Sequence, residues 1–193
     1  MLRLKLPTDP RWANLAEKSL EEILTDHAYC EQKAASTCIS LIQNYPDYEE
    51  LVVQLSPIVS EEWGHFMMVL AEMKRRKLKL GRQRKDEYVI ELRKLIRHGD
   101  KIERQLMDKL LVSAMIEARS CERFRLLSEN LSEAGLRKFY RHFMESEAGH
   151  YTVFMKLAKK YMPAKQVNER WKEMLEAERE IIHSLGIDGD RMH

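Results

Sequence analysis

Apolar residues recur at spacings of three and four along almost the whole chain, the period of helices that bury one face. The pattern predicts a first long helix starting at Asp9-Pro10, with Asp9 as N-cap and Pro10 at the first helical position, and running to about Gln43. Its inward stripe reads Leu20, Leu24, His27, Glu31, Ala34, Cys38 and Leu41. Asp47 to Glu50 reads as a capping box for a short helix ending near Leu55. Ser56-Pro57 then restarts the chain as a second long helix to about Lys77, with Gly81 as its terminator; the stripe is Ile58, Glu62, His65, Val69 and Met73. Asp86 to His98 forms a shorter helix closed by Gly99. Asp100 with Glu103 opens a third long helix to about Leu131, striped by Leu106, Leu110, Ser113, Glu117, Cys121 and Phe124. Ser132 starts a fourth, striped by Leu136, Phe139/Tyr140, Phe143, Glu147, His150, Phe154, Leu157 and Tyr161. Pro163 ends it, a last helix reaches Gly186, and the tail from Ile187 to His193 is expected to fray.

Carboxylates in the middle of apolar stripes are the anomaly. A buried acid is costly unless a cation, a proton or a partner compensates it. The acids also follow a register. Glu31 precedes Glu62 by 31 residues and Glu117 precedes Glu147 by 30, and each second Glu opens a Glu-x-x-His: Glu62-Trp63-Gly64-His65 and Glu147-Ala148-Gly149-His150. Residues three apart share a helix face, so each such Glu and His can aim at one point. Two single-Glu helices and two Glu-x-x-His helices make the ligand set of di-iron or di-manganese carboxylate bundles of the ferritin-like kind. Oxygen and imidazole donors suit iron or manganese better than metals that seek thiolates. Glu122 competes with Glu117, but it lies only 25 residues before Glu147, so Glu117 is the candidate ligand. A third copy, Glu180 to His183, has no partner Glu at matching spacing and reads as surface helix. Gly64 and Gly149 each precede a candidate His, and glycine inside a helix costs roughly 1 kcal/mol relative to alanine. Their equivalent placement predicts close helix approach beside the site, with Gly149→Leu lowering metal occupancy.

Composition narrows this picture a little. The 193 residues include only 7 Gly and 5 Pro against 33% charged residues, the balance of a single long-helix domain. Three cysteines, Cys30, Cys38 and Cys121, form no C-x-x-C pair, which points to reduced thiols in the cytoplasm. No apolar run approaches the roughly 18 residues that a membrane helix needs, so no membrane partner is expected. The net charge of +2 is uninformative, but its distribution is not. Lys74, Arg75, Arg76, Lys77, Lys79, Arg82, Arg84 and Lys85 form a run with no acid. Cations suit a helix C-terminus, and a polyanion-binding patch is the alternative reading.

Glu117-Ala118-Arg119-Ser120-Cys121-Glu122-Arg123-Phe124, preceded by Asp108-Lys109-Leu110, resembles the signature of the MiaE family of tRNA hydroxylases. The resemblance continues in Leu24-Thr25-Asp26-His27 with Cys30-Glu31, in Glu61-Glu62 with His65-Phe66, and in Ser146-Glu147-Ala148 with His150-Tyr151, covering roughly residues 20 to 160. It implies an all-α, ferritin-like four-helix bundle, with a helical crossover between helices 2 and 3 and an extra C-terminal helix. The single domain would span residues 1–193, with its core at about 10–162 and the last helix at about 163–186. It implies a non-haem di-iron monooxygenase that hydroxylates the isopentenyl side chain of 2-methylthio-N-isopentenyladenosine beside the tRNA anticodon. Glu31, Glu62, His65, Glu117, Glu147 and His150 would hold two iron ions, dioxygen would be co-substrate, and an external reductase would supply electrons. Lys74 to Lys85 would meet the anticodon stem-loop, and the protein would be a cytoplasmic monomer or small homo-oligomer. The alternative is a ferritin-like iron oxidase or peroxidase with no tRNA substrate. A helical RNA-binding or scaffold protein, with the acids as mere surface charge, predicts no bound metal.

Overall fold

A computed structural model describes residues 2–186 and 191–192. Among them are seven helices and no strand: α1 (Arg11–Lys18), α2 (Leu20–Asn44), α3 (Glu49–Arg75), α4 (Glu87–Arg93), α5 (Ile102–Asn130), α6 (Ala134–Tyr161) and α7 (Ala164–Leu185). By their contacts these residues form two compact units, 15–85 with 191–192, and 2–14 with 86–186.

The first unit is a hairpin of α2 and α3, joined by a short turn in which Tyr45 is buried and its ring meets Tyr48 edge-on. α2 buries Ile23, Leu24, Ala28, Ala35, Cys38 and Leu41; α3 buries Leu51, Leu55, Ile58, Val69 and Met73. The predicted restart at Ser56-Pro57 does not occur, because α3 runs unbroken through Pro57. Pro57 sits on the exposed side, so the bond that its missing N–H denies Val53 is lost where water can replace it. The buried positions Leu51, Leu55, Ile58, Glu62 and His65 keep their spacing straight through it. Tyr48, not Asp47, is the N-cap, and no side chain caps it, so the expected capping box is absent. Nor does Gly81 end this helix. Lys77, at φ 60°, supplies the left-handed residue, with Lys77 N bonded to Lys74 O and Leu78 N to Met73 O. Gly81 is instead held against α2: Tyr29 Oη donates to its carbonyl at 2.9 Å. The tail is partly anchored rather than frayed. Met192 is buried, its N donates to Asp26 Oδ2 at 2.8 Å, and Arg191 Nη1 reaches Lys85 O at 2.8 Å. Residues 187–190 and 193 lie outside the described residues.

The expected first helix is two. Ser19 (φ −114°, ψ 40°) leaves the helical region and separates α1 from α2; its N–H is shared at 3.2 Å between Leu15 O and Ala16 O. Such three-centre bonds are common where helices end. Asp9 does act at the start of α1, accepting from Arg11 N at 2.9 Å.

The second unit is a hairpin of α5 and α6 with α4 and α7 packed on it. Arg137 Nη1 caps the end of α5 by donating to Leu131 O and Ser132 O, which allows the turn to be very short. Phe124, Tyr140 and Phe143 form an aromatic cluster between these helices. Asp86 caps α4 by accepting from Val89 N at 3.1 Å, but α4 ends at Arg93, five residues before the expected His98. Past Arg93 the chain tightens into i→i−3 bonds from Lys94 N to Glu91 O, Leu95 N to Leu92 O and Ile96 N to Arg93 O. It then meets buried Asp108, which accepts from Arg97 N at 3.0 Å and from the Arg97 and Arg170 guanidinium groups. Burial alone would raise the Asp108 carboxyl, yet the two arginines outweigh it and hold the group below the usual carboxylate range. A depressed folded-state value stabilises the fold above the ordinary carboxylate range, and that contribution is lost as pH falls through the folded value. Asp108→Asn should therefore flatten the acid limb of a stability-versus-pH curve, read by urea unfolding at successive pH values. An unchanged limb would place the acid sensitivity elsewhere.

Candidate metal centre

Each hairpin carries its own triad. In the first, Glu31 comes from the middle of α2 and Glu62 and His65 from α3, all of them buried. Their ligand atoms lie within 4.8 Å of one another. His65 Nδ1 is 3.4 Å from Glu31 Oε2 and 3.6 Å from Glu62 Oε2. In the second, Glu117 of α5 meets Glu147 and His150 of α6, again buried and within 4.8 Å. His150 Nδ1 is 3.5 Å from Glu147 Oε2.

The two imidazoles are oriented alike. Both turn Nδ1 to the carboxylates, while Nε2 faces the side chain four residues earlier: Glu61 at 4.0 Å from His65, Ser146 at 3.5 Å from His150. A partner on the far nitrogen fixes ring orientation and raises ligand basicity. Neither residue was singled out by periodicity, although the i−4 position before each His was the place to look. His27 was visible on the α2 stripe without a role. Fully buried, its Nε2 lies 2.7 Å from Glu31 Oε1, so it fixes one oxygen of that carboxylate.

Glu122, the rejected competitor, belongs to another network: it accepts from Thr8 N, Thr8 Oγ1 and Arg119. Glu180 and His183 are exposed on α7. Cys121 is buried beside the second triad, with Sγ 3.2 Å from Met144 O. Burial, then the charges of Glu147 and Glu117, push its thiol up to about 12.

The glycines do not mark a close approach. A Cβ built on Gly64 or Gly149 would meet nothing within 4 Å, and both positions are exposed. Steric exclusion is therefore no reason for glycine at either position, and the expected loss of metal in Gly149→Leu has no basis. Gly64→Ala and Gly149→Ala should instead each stabilise the protein by about 0.5–1 kcal/mol, since alanine is the better helix former. Chemical unfolding of the two variants checks this; a loss of stability would reveal a constraint on these backbones.

Six of the eight basic residues, Lys74, Arg75, Lys77, Lys79, Arg82 and Lys85, are exposed, while Arg76 and Arg84 are half-buried. The run is not wholly unrelieved, because Arg75 and Arg76 both hold Glu72, at 2.8 Å and 2.6 Å. No helix is long and apolar enough to cross a membrane, among the described residues.

The family described as tRNA-(MS[2]IO[6]A)-hydroxylase (MiaE) matches residues 2–193. This chain belongs to that family. A MiaE relative from Pseudomonas putida, named tRNA 2-(methylsulfanyl)-N(6)-isopentenyladenosine(37) hydroxylase, is 39% identical over 94% of this chain and 87% of its own. One of the same name from Salmonella typhimurium is 29% identical over 94% of this chain and 84% of its own. Among solved structures, a Synechococcus protein with aldehyde deformylating oxygenase activity matches with a TM-score of 0.92 at 33% identity, covering 98% of this chain and 94% of that one. The MiaE chain thus has the all-α, ferritin-like fold, as expected. Its buried Glu and His donors, all oxygen and imidazole nitrogen, are of the kind a di-iron site requires.

Proposed function

We propose that this protein is a di-iron monooxygenase that hydroxylates the isopentenyl side chain of 2-methylthio-N-isopentenyladenosine in tRNA. Glu31, Glu62 and His65 of one hairpin and Glu117, Glu147 and His150 of the other would together hold two iron ions. The observation that carries the reading is the pair of buried triads of one donor type in a chain of the MiaE family. When bound, the iron would supply the means to activate dioxygen, with electrons from an external reductase.

The chain's own residues do the rest. Buried carboxylates offer negative charge that two cations can neutralise, which makes metal loading favourable where bare acids would be costly. His27 and Ser146 hold ligand side chains in register before any ion arrives, and the half-exposed Glu61 adds a negative charge on the far side of the His65 ring. Buried Phe143 and Phe154 stand one turn either side of Glu147 and His150, and buried Ile58 and Val69 one turn either side of Glu62 and His65, apolar cover that would limit water there. The exposed members of the basic run would meet phosphates of the anticodon stem-loop, an interaction that weakens with salt. Both hairpins would work as one domain, in the cytoplasm, as a monomer or small homo-oligomer.

The test is mass analysis of nucleosides from prenylated tRNA incubated with iron-loaded protein, reductant and dioxygen. A prenylated adenosine one oxygen heavier, absent with Glu147→Ala, is the expected result. Unchanged tRNA alongside consumption of ferrous iron or peroxide would replace this reading with a ferritin-like oxidase.

A further inference from the structure

The outer face of α3 carries residues that neither the core nor the triads use. Trp63 is 50% exposed and Met67 is 53% exposed, in a protein whose other two tryptophans, Trp12 and Trp171, are at 0% and 2%. Trp63 leans on Phe66, with ring centroids 5.0 Å apart, so its indole is braced rather than loose. Spacings of four and seven put Trp63, Met67 and Lys74 on one line along the helix, on the side away from Leu55, Glu62 and Val69. From Trp63 to Lys74 the rise is about 16 Å. Beyond Lys74 the same unit continues into exposed Lys77, Lys79 and Arg82.

An exposed, braced aromatic at the head of a basic track is the arrangement that binds unpaired nucleotides: bases stack on the ring while cations follow the phosphates. We infer that Trp63, with Met67 beside it, is a stacking platform for an unpaired base of the RNA loop, and that Lys74 to Arg82 guide the adjoining phosphates. The inference rests on the proposed tRNA substrate and deepens it. A duplex could satisfy the lysines but has no free base face to offer Trp63. Placement within Glu62-Trp63-Gly64-His65 also matters, because a base held by Trp63 is anchored on the same helical turn as two proposed ligands.

Trp63 is the one exposed tryptophan of the three, so the part of the protein's fluorescence that acrylamide quenches reports on it. A prenylated anticodon stem-loop should quench it and shield it from acrylamide. Trp63→Ala should weaken stem-loop binding roughly fivefold to a hundredfold. Trp63→Phe should restore most of that affinity, and both variants should keep their iron content. Raised salt should shrink the effect of a Lys74→Glu/Lys79→Glu double substitution while leaving the Trp63→Ala ratio nearly unchanged. Equal shielding by an RNA duplex of the same phosphate count, or by phosphatidylserine vesicles, would overturn the platform. So would unchanged affinity in Trp63→Ala when the same stem-loop is bound and hydroxylated, which leaves the hydroxylase reading intact. A stem-loop that neither binds nor gains oxygen would remove both.

Discussion

Replacing Arg119 with alanine should cost about 3–5 kcal/mol, the range for removing one partner of a buried ionic network. Arg119 is fully buried. Its Nη1 donates to Thr8 Oγ1 at 3.0 Å and to Glu122, its Nη2 to Leu6 O at 3.0 Å, and its Nε to Glu178 Oε1 at 3.0 Å. Tyr88 Oη reaches the same Glu178 oxygen at 3.3 Å. One guanidinium therefore ties the N-terminal segment, α4 and α7 to α5, and its fork geometry is what a lysine lacks. Without it, Glu122 and Glu178 both lose the buried cation that they share. At about 2–4 °C per kcal/mol for a chain of this size, the melting temperature should fall by roughly 6–20 °C.

The loss should also depend on pH. Burial raises the Glu178 carboxyl above its ordinary value, and Arg119 opposes that rise. Removing the arginine lets the folded-state value climb further. A raised folded-state value gives stability that is full below the unfolded value and lost as pH rises through the folded one. Arg119→Ala should thus be less destabilising near pH 5 than near pH 8. A deficit below about 1 kcal/mol at neutral pH, or one independent of pH, would show that the network is solvated rather than buried.

This network marks the limit of what the chain pattern reveals. Glu117 could be chosen over Glu122 from its spacing to Glu147, because a metal triad on a helix hairpin repeats at a distance set by helix length. The eight residues from Glu117 to Phe124 otherwise read as one signature. In the fold they divide: Glu117 faces the triad, Arg119 and Glu122 tie in Thr8 and Glu178, and Arg123 lies over the Trp12 ring at 4.9 Å. Thr8 is 114 residues from Glu122, and no local period encodes that contact. The long helices, their stripes and the α5–α6 turn were legible because burial repeats every 3.6 residues. Pro57 and Gly81 misled because their usual meanings are local, whereas a solvent-facing proline and a left-handed Lys77 depend on which side of the helix is buried. Gly64 and Gly149 misled for a different reason: the matched placement suggested crowding, and the space beside them is open.

Glu147→Gln should act in the opposite direction from Arg119→Ala on the metal-free protein. In the second hairpin, Glu117 and Glu147 are buried with ligand atoms within 4.8 Å, an arrangement suited to a cation and strained without one. Two like charges at that distance repel by several kcal/mol even at an effective dielectric of about 20. Neutralising one of them should therefore stabilise the apo-protein by about 1–2 kcal/mol. Ferrous iron reverses the ranking. A ligand at a hundred times its dissociation constant stabilises the native state by about 2.7 kcal/mol, and the wild-type protein should gain this while Glu147→Gln should not. The measurement is a pair of anaerobic thermal melts, with and without ferrous iron, on both proteins, joined to the nucleoside mass assay. Crossing of the two stabilities on iron addition, with hydroxylation lost only in the variant, ties the buried acids to metal binding rather than to folding. A variant less stable than wild type in the absence of metal would mean that Glu147 is held by hydrogen bonds the fold needs, and the stability cost ascribed to the triad would be wrong.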